Sequence, residues 1–287
     1  MATHTIENSF LKITVSESGA ELHSVFHKEK NIELLWQADK SVWGRHAPVL
    51  FPIVGRLFND SYIYKDKTYK MSQHGFARDL DFDLLLSGDN QLTFLLTENE
   101  QTLEKYPFAF NLYITYTLTD KKLQITYEVQ NTNEEELFFS IGGHPAFNTP
   151  CFENTKYEEY QIEFNKDRYE MYPLKGNFQS GTTQKLELSN KTLSLQKELF
   201  QNDALIFKNN ELSKVTLKHN SKGNILNFET DMPNFGIWSP KNTDKFVCLE
   251  PWCGIADYEK QTTLQEKEGI ICLLPSQIHK SKYSIEI

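Results

Sequence analysis

Three short segments of this chain place proton-handling side chains beside glycine, proline and aromatic residues. Ile141-Gly142-Gly143-His144-Pro145-Ala146-Phe147-Asn148 holds a histidine between two glycines and a proline. Glycine lets the backbone turn or approach another group closely, and proline fixes the direction of exit. The imidazole is thus expected at a rigid corner, where an alternating strand ends. Histidine suits proton transfer near neutral pH. Gln73-His74-Gly75-Phe76-Ala77-Arg78-Asp79 and Val247-Cys248-Leu249-Glu250-Pro251-Trp252 have the same character. Glu250 is expected just past an apolar strand at 245–249, where a carboxylate is costly to bury unless paired or functional. Together these segments offer an acid, a base and cationic donors.

Each residue also has a plainer reading. His74 and His144 would serve as hydrogen-bonded structural histidines, and Glu250 as the partner of an arginine. The run His46-Ala-Pro-Val-Leu-Phe-Pro-Ile-Val-Gly-Arg-Leu57 carries two prolines, which exclude a central strand and leave a buried, ordered loop. Arg56 follows Gly55 there, and either an ion pair or a hold on a polar ligand fits its forked donors. Lys and Arg total 30, yet the arginines are only Arg45, Arg56, Arg78 and Arg168. Three of the four fall in the first 80 residues, so lysine does most of the solubilising. Trp238 and Trp252 suit a core or the apolar face of a sugar ring. Asp203 reads as a turn residue between a helix and a strand.

His23 and His27 are spaced to meet on one face, but no acidic ligand accompanies them in sequence, and no metal site is expected. The remaining histidines look ordinary. Cys151, Cys248, Cys253 and Cys272 form no C-x-x-C pair and read as free buried thiols of a cytoplasmic protein.

Strands must position these groups. Period-two alternation dominates, and 113–118 and 123–129 flank Asp120-Lys121-Lys122 as a hairpin. In its second arm Leu123, Ile125, Tyr127 and Val129 share one face. Further strands are expected at 11–15, 81–86, 92–96, 160–164, 186–188, 214–217, 225–229 and 270–274. Helical signal is confined to 98–105 and 195–200. The absence of βαβ spacing argues for an all-β antiparallel sandwich, with one domain over 1–287. A net charge of -9 disfavours nucleic acid and anionic membranes as partners. No signal peptide is read at the start, and the longest apolar run, 47–54, is too short to span a bilayer.

Taken together, Gly55-Arg56, His74-Gly75-Phe76, Gly142-Gly143-His144-Pro145-Ala146-Phe147 and Cys248-Leu249-Glu250-Pro251-Trp252 resemble the aldose 1-epimerase (mutarotase) family. The wording from Trp43 to Leu57 and Glu250-Pro-Trp-Cys-Gly-Ile-Ala-Asp257 resembles its LacX-like branch. The resemblance implies a large galactose mutarotase-like supersandwich with a sugar site on a concave sheet face. It implies exchange of α and β anomers of a hexose, without metal or cofactor, by a monomer or homodimer. His144 matches the general acid, Glu250 the general base, His74 the second site histidine and Arg56 the site arginine. Asp203 matches a carboxylate that holds sugar hydroxyls. The surroundings of Asp203 and Trp252 depart from the galactose-specific pattern, so the sugar stays open. Ring opening moves one proton onto the ring oxygen and another off the anomeric hydroxyl, which calls for an acid and a base on opposite sides of a flat substrate. A phosphorylated hexose, with Arg45 or Arg78 near its tail, is the alternative substrate. A glycosidase using Asp203 and Glu250 would leave the histidines idle. A non-catalytic carbohydrate sensor would have no need of both His144 and Glu250.

Overall fold

A computed structural model describes residues 2–241 and 243–287. Its regular structure is almost entirely antiparallel strand. A nine-stranded sheet runs in the order Thr192–Ser194, Tyr160–Glu163, Lys214–His219, Gly223–Thr230, Ile278–Glu286, Lys122–Asn131, Phe110–Thr119, Gln91–Thr97, Asp83–Ser87. The expected hairpin forms its centre, with Leu118 facing Leu123 and Leu112 facing Val129. Leu123, Ile125, Tyr127 and Val129 are all buried, as their alternation requires.

A second, six-stranded sheet carries the chemistry. Its path is Leu205–Phe207, Asn234–Trp238, Phe246–Cys253, Ile141–Gly143, Val49–Leu50, and Ala146–Asn148 also pairs with Phe246–Cys253. The two sheets pack through aromatic rings. Phe228 of the large sheet meets Phe235 of the second at 5.6 Å and Phe147 at 6.1 Å. A four-stranded sheet, Thr3–Glu7, Leu11–Ser16, Leu22–His27 and Ile32–Glu33, adds Ile6, Leu11, Ile13, Val15, Leu22 and Val25 to the same buried cluster.

The expected strands all appear; the central hairpin and Gly223–Thr230 run three or four residues longer than expected, while Asp83–Ser87, Tyr160–Glu163 and Ile271–Leu273 are shorter. The helical segments are smaller than expected: one α-helix, Glu100–Lys105, capped by the Asn99 side chain, and a 3-10 turn, Lys197–Phe200. Strands without a sequence signal include Thr3–Glu7, Leu22–His27, Asn234–Trp238 and the nine-residue Ile278–Glu286. The prolines at 48 and 52 bracket an edge strand of two residues, Val49–Leu50, in an otherwise irregular buried loop. All four cysteines are free, but the expectation of burial fails for Cys272, which is exposed, and for Cys151, which is half-buried.

Candidate active site

The strand Phe246–Cys253 is buried along its whole length, so both of its faces pack. Val247, Leu249 and Cys253 point into the main core. Phe246, Cys248, Glu250 and Trp252 occupy the other face by period two. Gly142 pairs with Trp252 and Ala146 with Cys248. Three residues therefore lie between these pairs on each strand, and His144 stands directly opposite Glu250. His144 follows the end of Ile141–Gly143, as expected, in a two-residue break before Ala146–Asn148; both strands pair with Phe246–Cys253, so the chain runs on along one partner. The expectation for Glu250 is corrected: it is mid-strand and not past the strand's end. Pro145 and Pro251 lack donors, so the regular ladder lapses over these three positions, while Leu249 N–H still donates to the Pro145 carbonyl at 3.2 Å.

The glycines serve close approach. A Cβ on Gly142 would fall 2.7 Å from the Trp252 ring and 2.8 Å from the Pro251 carbonyl oxygen. One on Gly236 would fall 2.5 Å from the same ring. The Trp252 indole thus lies over two strands that leave it room.

The His144 Nε2 and Glu250 Oε2 atoms are 3.2 Å apart, with side chains 10% and 3% exposed. The residues expected as acid and base thus lie side by side in the pocket, and not on opposite sides of it. Burial holds the His144 imidazole down at about 3, and the Arg78 and Arg45 charges add to that effect. Burial, then the Asp203 charge, pushes the Glu250 carboxyl well above the usual range. The Trp252 indole lies close enough to favour the carboxylate, though its N–H makes no hydrogen bond of normal geometry. Both shifts favour the uncharged forms, a neutral imidazole beside a protonated carboxyl. Aromatic rings fix the imidazole: Trp43 stacks on it at 5.0 Å, and Trp238 and His74 meet it edge-on at 5.5 and 5.8 Å.

His74 has φ +67, an unusual backbone conformation for a non-glycine residue. Its N–H donates to the Gly55 carbonyl at 2.9 Å, and its Nδ1 accepts the Gly55 N–H at 3.2 Å. That acceptor role leaves the neutral ring with its proton on Nε2. Burial, followed by His144 and Arg78, holds its pKa well below 6.5. His74 is thus a neutral donor.

His74, His144, Glu250, Arg56, Asp203, Trp238 and Trp252 all line one cavity of about 420 Å³. Arg56 combines both readings of it: two of its nitrogens grip Asp60 at 2.8 Å, and its side chain still borders the cavity. Asp203 follows the 3-10 turn Lys197–Phe200 and precedes the strand Leu205–Phe207. Its φ is +78. It is the expected turn residue and also a cavity residue, and burial raises its pKa. Arg78 lines the cavity and Arg45 does not; Arg45 pairs with Asp79 at 2.7 Å. Sequence reasoning missed Trp43, Gln73 and Lys241, which also line it. Trp43-Gly44, just ahead of the proline-rich loop, was a usable signal for the first.

The expectation for His23 is corrected. Its neighbours at ligand distance are Glu21 and His46, not His27, which is buried elsewhere with its Nδ1 facing the Lys30 N–H. His46, read as ordinary, stacks on His23 at 4.1 Å.

A family model described as aldose 1-epimerase matches residues 2–286. The chromosomal protein LacX of Lactococcus lactis subsp. lactis is 33% identical over 297 residues, covering 99% of each chain. A galactose mutarotase related enzyme from Lactobacillus acidophilus superimposes with a TM-score of 0.93 at 37% identity, over 99% of this chain and 97% of that one. A galactose mutarotase-like protein from Lactobacillus casei ATCC 334 gives 0.90 at 34% identity, over 99% of both chains.

Proposed function

The chain belongs to the aldose 1-epimerase family, and on that premise we propose that its pocket interconverts the α and β anomers of a hexose, with His144 as acid and Glu250 as base. The observation that carries this reading is the direct contact of His144 and Glu250 on the wall of a sugar-sized cavity. When the sugar's hydroxyls enter, they solvate the pair, and its proton passes from Glu250 to His144. Glu250 then takes the anomeric hydroxyl proton while His144 gives its own to the ring oxygen. The carbon–oxygen ring bond breaks and a carbonyl forms at the anomeric carbon. His144 ends neutral and Glu250 ends protonated, which is the arrangement burial already favours. The buried pocket therefore stabilises the open-chain state reached after both transfers. His74 Nε2–H, Arg56 and Asp203 hold sugar oxygens, and Trp238 and Trp252 present apolar faces to the ring. Rotation about the adjacent carbon–carbon bond and reversal of the transfers yield the other anomer. The free thiols suit a reducing cytoplasmic setting.

An uncharged hexose is the first choice of substrate. Arg78 gives the hexose 6-phosphate a specific footing: it borders the cavity, and its Nε is buried without an acceptor. The test is polarimetry on freshly dissolved glucose and galactose, repeated with the 6-phosphates as substrates and as competitors. Accelerated equilibration of the free sugar is expected. Binding without acceleration of any member of the panel defeats the catalytic reading. Phosphate-dependent competition that weakens in Arg78→Ala transfers the activity to the phosphorylated sugar.

A further inference from the structure

A second histidine–carboxylate group stands outside the sugar pocket. Glu21 immediately precedes the strand Leu22–His27 and His23 is its second residue, and their side chains approach to 3.5 Å. His46 arrives from the loop that follows Trp43. One ligand atom from each of the three lies within 4.8 Å of the others. We propose that Glu21, His23 and His46 bind a divalent transition-metal ion of the zinc class.

The donor set fits such an ion. Two imidazoles and one carboxylate, with remaining positions filled by water, suit zinc. Glu21 Oε1 is fixed by the N–H groups of His46 at 2.8 Å and Ala47 at 2.9 Å. That leaves Oε2 facing His23 Nε2 at 3.5 Å, too long for a strong hydrogen bond. Among the described residues, no ring nitrogen of His23 or His46 takes a hydrogen bond of normal length. The rings lie nearly parallel, 20° apart. Ligation at roughly 2.0–2.2 Å draws the trio together by turning His23 out of this stack. The His23 side chain is 30% exposed and has room to turn.

The ion would clip the four-stranded sheet to the wall of the pocket. The His46 carbonyl accepts from Ala146 N–H and the Pro48 carbonyl accepts from His144 N–H, so His46 belongs to the segment that holds the His144 backbone. Binding at this site does not depend on which sugar the pocket takes.

The test is isothermal titration of the chelator-stripped chain with zinc chloride, with cobalt(II) absorption as a second reporter of the ligands. One ion per chain is expected. His23→Ala and His46→Ala should each weaken binding by more than the roughly 10–100-fold that loss of an outer-shell partner costs. Saturating zinc should raise Tm in the parent and not in His23→Ala, whose exposed position keeps the fold intact. The proposal falls if no saturable binding occurs, if His23→Ala binds as the parent does, or if binding is lost instead in Cys272→Ser, the exposed thiol.

Discussion

Two histidine–glutamate groups among the described residues are built on buried carboxyls, and these carboxyls answer burial in opposite ways. Glu250 and Glu21 are both buried. At Glu250 burial dominates and the carboxyl is pushed up. At Glu21 burial pushes the same way, but the His23 ring facing one carboxyl oxygen and the N–H groups of His46 and Ala47 on the other outweigh it and hold the carboxyl low. Among the described residues, no backbone N–H donates to Glu250. Donors aimed at the carboxyl, ring and backbone together, therefore decide more than depth does whether it rests charged. The pocket side of Phe246–Cys253 withholds such donors, because a strand's N–H groups lie in the sheet plane and its side chains stand out of it. A carboxyl projecting from mid-strand is left to side-chain partners, and there it keeps a mobile proton.

The sharpest way to break this contrast is Glu250→Gln, which keeps the shape and removes the proton acceptor. Turnover should fall by roughly 10²–10⁴, measured by polarimetry. Stability should move the other way. The folded pKa of Glu250 lies above its unfolded one, so stability declines as pH rises through the folded value. The glutamine variant escapes that decline and should melt higher than the parent at pH 8. A variant that is fully active, or less stable at pH 8, would place Glu250 outside this role.

His144 tests the same pocket from the acid side. Its folded imidazole sits at about 3, against 6.5 for an ordinary histidine. Between those values the unfolded chain binds the extra proton, so stability falls as pH drops through that window. His144→Asn removes this contribution. Urea midpoints taken from pH 7 down to pH 4 should decline less steeply in the variant than in the parent. Some decline remains, because burial holds His46 at about 4 and His74 is depressed too. Parallel pH profiles would mean that His144 is not held neutral.

Much of this arrangement was legible in the sequence, and the failures have a common cause. Strands with apolar alternation, such as 123–129, declared themselves. Ile278–Glu286, the neighbour of that strand, did not. Its inward face is built partly of His279 and Ser281, which carry no hydrophobic signal, before Tyr283 and Ile285. The seven site residues converge on one cavity, because glycine, proline and a carboxylate inside apolar runs are improbable packing choices. Their mutual geometry was not legible. Pro145 and Pro251 read as strand terminators in one dimension, whereas the two prolines face one shared gap between strands. Trp43, and the pairing of His46 with Glu21 and His23, arise from contacts across more than 20 residues that no local spacing encodes.

The seating of Trp252 beside Glu250 depends on packing, and Gly142→Ala probes that. The new methyl would meet the Trp252 ring at 2.7 Å and the Pro251 carbonyl at 2.8 Å, and a backbone oxygen inside a sheet has little room to move. The loss should be about 1–3 kcal/mol in chemical denaturation, typical of overpacking. Gly88→Ala is the control, since its Cβ meets only the Gln91 carbonyl at 3.7 Å, and it should stay within about 0.5 kcal/mol. Equal effects at the two positions would show that Trp252 is loosely seated.

The smallest expected effect is the most direct comparison. Glu21→Gln is the same chemical change as Glu250→Gln, made in the group whose carboxyl is met by backbone donors. The amide oxygen still accepts from His46 and Ala47, so no buried N–H is orphaned and the fold survives. What is lost is the charge on the acceptor. Hydrogen bonds to charged groups contribute more than neutral ones, so the variant should be less stable at pH 7 by about 1 kcal/mol. Measured with a chelator present, this loss excludes any contribution from a bound ion. The two glutamine substitutions should therefore shift stability in opposite directions at neutral pH and above. If both stabilise, backbone donors do not hold Glu21 charged, and burial alone governs the two sites. If both destabilise, Glu250 is ionised at rest, and the neutral pair that accounts for ring opening in this pocket does not exist.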